Sequence, residues 1–257
     1  MKPITVLACA VLVLSFSYSE LSEATPFTWN PAGANPSLGG SAFTADSLTL
    51  TNYLYAVAQT NGLTSEHFIQ PITSFQRNGG TVAAPGLGST YGLYLDIMAV
   101  VSSVGGTHFN NLDVHLFADL NNDDGTVSST VAGIGFSNPA GVANDFQLAH
   151  GTLISAALSF DPATQIRSAH FLDTFVPEPG EAGFFIAPVG VPLQLQIDLT
   201  TLPDHFQSIP QSDGSTIQLV NNGAGTARLL VPEPATLALL TLGIAALGFS
   251  RRTQGQC

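Results

Sequence analysis

Metal binding has one candidate in this chain, the acidic stretch Asp119-Leu120-Asn121-Asn122-Asp123-Asp124-Gly125. Oxygen-bearing side chains at alternate positions suit calcium, so Asp119, Asn121 and Asp123 are its candidate ligands. The stretch departs from a regular calcium loop. Asp124 stands where a glycine belongs, Gly125 comes one residue late, and the twelfth position is Thr130 rather than glutamate. A hairpin loop rich in Asn, Asp and Gly accounts for the same residues. The histidines (His67, His108, His115, His150, His170, His205) are scattered, and no His-Glu-x-x-His spacing supports zinc. They read as surface or hairpin residues. A Gly-x-Ser-x-Gly nucleophile elbow is missing, and Gly86-x-Gly88-x-x-x-Gly92 runs from a turn into a strand instead of opening a helix over a phosphate. Fifteen carboxylates between Thr25 and Leu230 leave room for the facing pair that glycoside hydrolysis needs, yet single out no two of them. The expectation is a protein that is not an enzyme and holds no cofactor, calcium excepted.

The stretch with the most specific spacing is Val231 to Cys257. Pro232-Glu233-Pro234 comes first, then the uncharged apolar run Ala235–Phe249, then Arg251-Arg252. The two prolines hold the backbone extended. The apolar run can enter a bilayer as a helix but falls short of the ~20 residues of a comfortable span. The arginines stay cytoplasmic and leave the bulk of the chain outside. This order resembles the PEP-CTERM sorting signal of Gram-negative bacteria, on Val231, Pro232, Glu233, Pro234, Arg251 and Arg252. The resemblance implies that an exosortase removes the tail near the motif, after the inner membrane has held it transiently, and that the producing cells secrete exopolysaccharide. An ordinary C-terminal membrane anchor is the alternative. The same four letters recur at Val176-Pro177-Glu178-Pro179, followed by charge and glycine rather than a span, and read there as a surface turn.

The other end reads as a signal peptide, Met1 to Ala24. Lys2 is its charge, Ile4–Phe16 its apolar segment, and Ser22-Glu23-Ala24 a small-residue exit. Signal peptidase is then expected to cut before Thr25, with Ser17-Tyr18-Ser19 as second choice. Val6-Leu7-Ala8-Cys9 has too little chain before it to serve as a lipobox. Cys9 leaves with this leader and Cys257 with the tail, so the exported part, residues 25–230, has no cysteine and relies on burial for stability. That part carries three arginines against the fifteen acids and no lysine, a net charge of −12. Such a surface repels nucleic acid and anionic headgroups.

The elements that would position these residues are strands. Leu193-Gln194-Leu195-Gln196-Ile197-Asp198-Leu199 alternates apolar with polar, as do Leu112-Asp113-Val114-His115-Leu116 and Tyr91–Ile97. Further candidates are 47–58, 66–75, 131–136, 152–160, 166–175, 183–187 and 216–220. Turn signals such as Asn78-Gly79-Gly80, Asp161-Pro162 and Asp213-Gly214 separate them. This pattern predicts an all-β chain, a single antiparallel β-sandwich (jelly-roll-like) over residues 25–230, flanked by a signal-peptide helix (1–24) and a C-terminal hydrophobic helix within 231–257.

Four short motifs inside the domain, Phe27-Thr28-Trp29-Asn30-Pro31, Tyr91-Gly92-Leu93-Tyr94, Ala149-His150-Gly151-Thr152-Leu153 and Ala182-Gly183-Phe184-Phe185-Ile186, are similar in order to the flocculation-associated subgroup of PEP-CTERM proteins. Plain strand core explains them equally. The subgroup implies a non-enzymatic surface or matrix protein that holds cells together within exopolysaccharide, in flocs or biofilm. Two alternatives remain: a secreted glycan-binding module displaying Tyr53, Tyr55, Tyr91 or Tyr94, and a hydrolase acting on the polysaccharide.

Overall fold

The structure, a computed structural model, describes residues 24–51, 54–60, 63–102, 108–120, 145–161, 163–164, 167–180, 182–188, 192–201, 206–210, 216–220 and 224–231. The signal peptide, the expected strand 131–136, Asn121, Asp123, Tyr53 and the tail from Pro232 onward lie outside these residues, as does the expected C-terminal helix. Among the described residues no helix is long and apolar enough to cross a membrane. Ala24–Leu230 forms one compact unit.

Among the described residues fifteen strands follow in order: β1 (Phe27–Trp29), β2 (Phe43–Ala45), β3 (Ser47–Thr51), β4 (Leu54–Thr60), β5 (Leu63–Arg77), β6 (Gly80–Val82), β7 (Tyr91–Ser102), β8 (His108–Leu120), β9 (Phe146–Phe160), β10 (Arg167–Pro177), β11 (Phe185–Ala187), β12 (Leu193–Thr201), β13 (Phe206–Pro210), β14 (Thr216–Val220) and β15 (Ala224–Leu230). Eight of them close on themselves. The ladder runs β3-β5-β7-β8-β9-β10-β12-β15 and returns to β3 through Ala224–Arg228 against Thr51–Ser47. The sandwich expectation is therefore corrected to a closed antiparallel barrel. Alternation of period two is the same for a sandwich and a barrel. What closes the ring is β5, which takes β3 and β4 on one edge and β7, along Leu63–Pro71, on the other.

Inward and outward residues divide by polarity. Leu193, Leu195, Ile197 and Leu199 are buried, while Gln194, Gln196 and Asp198 between them are partly exposed and Thr200 is exposed. Leu112, Val114 and Leu116 likewise face in, with Asp113 and His115 outside. A barrel embedded in lipid has the reverse polarity.

One end of the barrel is plugged by aromatic rings. β1 pairs with β2 and β11 in a small sheet, and Trp29 lies at its centre. The indole is edge-on to Phe75 and Phe184, with centroids at 4.9 and 5.4 Å, and 5.0 Å from Phe185. The motifs around Phe27 and Phe184 thus meet as core, each large side chain contributing about 1.5–3 kcal/mol by burial. The short helix α1 (Pro31–Ala34) reaches this plug through two glycines. A Cβ on Gly33 would come within 2.3 Å of Gly183 O, and one on Gly183 equally close to Gly33 O.

Candidate functional site on the barrel wall

Two of the histidines scattered in sequence, His170 and His150, meet carboxylates in the fold. Because β10 and β12 align His170 opposite Asp198, the imidazole Nδ1 reaches Asp198 Oδ1. Gln196 Nε2 donates to the other carboxylate oxygen at 2.8 Å, so Asp198 is engaged on both sides. His170 lines a shallow pocket of about 250 Å³ with Ser159, Ser168, Asp198 and Thr200, floored by Leu158 and Leu199. No hydroxyl among these described residues is hydrogen-bonded to the imidazole. The arrangement is therefore a fixed ring and a set of hydroxyls, which can exchange hydrogen bonds with a polyhydroxylated ligand but lacks an activated nucleophile.

A second pair lies further along the wall. Glu178 Oε1 accepts from Gln147 Nε2 at 2.6 Å and meets His150 Nδ1 at 2.6 Å. Glu178 belongs to the first Val-Pro-Glu-Pro, whose Val176 and Pro177 complete β10; only Pro179 and Gly180 form the turn expected there. Its backbone N–H donates to Leu148 O at 2.9 Å, which prolongs the ladder.

The predicted calcium ligands fare differently. Asp119 sits inside β8 opposite Gly92 and is buried, whereas Asn121 and Asp123 lie outside the described residues. Among the described residues no group of three His, Cys, Asp or Glu is placed to hold a metal. Tyr91 and Tyr94 are also buried. The Tyr91 hydroxyl is pushed up to about 12 by burial, and the Tyr94 hydroxyl donates to Asp145 at 2.7 Å while its ring stacks on Phe117. Neither ring is free to stack on a sugar; the Tyr55 side chain is outside the described set.

Sequence gave no signal for the barrel's own ionisable core. Asp173 faces inward with Phe171 and Phe175, is fully enclosed, and neither carboxylate oxygen has a partner. Desolvation pushes its pKa from 3.8 up to about 7. On β5, across the ring from β10, Gln70 is another enclosed side chain whose polar atoms have no partner among the described residues. Alternation puts Asp173 on the same side as Phe171 and Phe175, and the register shows that side to be the interior.

The sorting signal attaches directly to this frame. Ala24 bridges to Leu230, and Thr25 N–H donates to Leu229 O at 3.1 Å. Leu229 and Leu230 are buried, and Val231 is the next residue. Residues 230–252 match the family model of the PEP-CTERM protein-sorting motif. Among curated proteins none matches the chain.

Proposed function

Because this signal marks the chain as an exported exosortase substrate, reaching the cell surface or the extracellular space after processing, we propose that its barrel is a non-enzymatic component of the exopolysaccharide matrix. The observation that carries this reading is the sorting motif, which begins as the last barrel strand ends. Removal of the tail there releases a complete ring of strands. Two further features support it. The wall presents a hydroxyl-lined pocket beside His170 and Asp198, suited to neutral sugar hydroxyls. The net charge of −12 disfavours nucleic acid and anionic lipid as partners.

In this reading signal peptidase cuts before Thr25, the inner membrane holds Ala235–Phe249 transiently, and exosortase cuts near Pro232-Glu233-Pro234. The matrix-bound barrel then contributes to floc or biofilm cohesion. The hydrolase alternative needs two carboxylates ~5–10 Å apart across a cleft. The wall pocket offers Asp198 alone, already held by His170 and Gln196.

The test is a chain ending at Pro234, lacking Ala235–Cys257. It is expected to appear as soluble exported protein and to lose retention in flocs. Normal localisation of the truncated chain would sink the proposal, as would turnover of the cells' own polysaccharide by the purified protein.

A further inference from the structure

The ring of strands is not hydrogen-bonded over its whole height. Between β8 and β9 the ladder covers only Asp113–Ala118 against Thr152–Phe146. Past Thr152, β9 continues from Leu153 to Phe160 with β10 alone as partner, and no described strand pairs with its other edge. Phe109 of β8 does not extend the ladder; its ring packs edge-on against Phe171 at 5.1 Å. Among the described residues this leaves an unpaired edge of eight residues, about 26 Å at strand rise, longer than the usual edge strand, and such edges normally carry lysine, proline or a bulge that blocks pairing. Here the sequence is Leu-Ile-Ser-Ala-Ala-Leu-Ser-Phe, without charge, proline or glycine; its one irregularity is the register shift at Ile154 in the ladder with β10. Ile154 and Leu158 are 46% and 43% exposed, high for large apolar side chains.

The pattern of this edge identifies its occupant. Pairing the segment antiparallel with itself about Ala156 sets Ile154 opposite Leu158, Ala156 opposite Ala156, and Ser155 opposite Ala157. The apolar stripe of one copy meets the apolar stripe of the other on one face, and the small polar face meets its own counterpart. No like charges face each other, because Leu153–Ser159 contains no charged residue and the ladder ends before Asp161. A twofold axis closes such a contact after two chains, as isologous interfaces do. We propose that the outer half of β9 is a self-association edge, through which two copies of this chain join their barrels into one continuous sheet. A seven-residue ladder, Leu153–Ser159 against itself, with two apolar Ile154–Leu158 pairs is smaller than a standard stable interface. The pairing is therefore concentration-dependent and suited to a protein crowded at a surface. The edge shares Ala157, Leu158 and Ser159 with the wall pocket, so self-association and polysaccharide binding are measured separately.

Cysteine cross-linking tests it in the full chain bearing Cys9→Ser and Cys257→Ser. In an antiparallel pair, residues directly opposite have Cα atoms ~4.5–5.5 Å apart, within the range a disulfide spans. The Ala156→Cys chain is expected to form a covalent dimer on mild oxidation, and a control with Thr73→Cys, exposed on β5, is not. Light scattering of the unmodified protein should show a monomer–dimer equilibrium that Ile154→Lys with Leu158→Lys abolishes, with circular dichroism verifying the fold. A monomer at every concentration, or equal cross-linking at 156 and 73, overturns the proposal. Loss of polysaccharide retention with the dimer intact leaves it standing and counts against the matrix reading alone.

Discussion

Gly151 makes room for the carbonyl of Thr174. A Cβ at position 151 would lie 3.5 Å from the Asp173 Cβ and 2.1 Å from Thr174 O, so the two strands approach here as no residue with a side chain allows. The ladder neighbours of the enclosed Asp173 are Leu153 and Leu195, with Phe171 and Phe175 two residues away on its own strand, none of them ionisable.

The pH dependence of stability follows from that enclosure. The folded pKa of Asp173 is raised to about 7, so the native barrel binds this proton more tightly than the unfolded chain does. Its contribution is fully favourable below about pH 4, declines as pH rises from about 4 to 7, and is constant above. The span is at most about 4 kcal/mol. Denaturant melts of wild type and Asp173→Asn across this range check it: the variant should lose most of the slope, and an unchanged slope would refute the assignment.

Gly151→Ala tests the close approach. The added methyl must push β9 away from Thr174, a strain of about 1–3 kcal/mol. A Tm lower by several degrees is expected, measured by thermal scanning at pH 5, where Asp173 is protonated in the folded state. A wild-type Tm would mean the strands are further apart than described.

At the plugged end, Trp29→Ala removes a ring that touches Phe75, Phe184 and Phe185. The loss should be about 3–5 kcal/mol. Trp29→Phe should cost much less, because the indole N–H it deletes has no partner. Chemical unfolding of the two variants distinguishes these cases.

For the wall pocket, His170→Ala and Asp198→Asn should each weaken co-sedimentation with the cells' own exopolysaccharide several-fold. His150→Ala, whose ring pairs with Glu178 outside the pocket, should leave it unchanged. Equal binding by all three would remove the pocket from the matrix role.

Much of the local structure was legible beforehand. Asn78-Gly79 reads as a turn and forms the hairpin between β5 and β6, both residues at positive φ, as a two-residue hairpin turn requires. The strands at 91–97, 112–116 and 193–199 follow from alternation, and the tail follows from the order of its three parts. By contrast, β15 reads Ala-Gly-Thr-Ala-Arg-Leu-Leu and alternates poorly; its place between β3 and β12 is what makes it a strand.

The chain's own letters settle that it is strand-built, cysteine-free between its two ends, acidic, and addressed by a PEP-CTERM tail. Those properties depend on neighbours within a few residues. Closure into a barrel, the pairing of His170 with Asp198, and the burial of Asp173 depend on which distant strand lies alongside. A period of two records which side of a sheet a residue faces, and carries no record of whether that sheet bends round to meet itself.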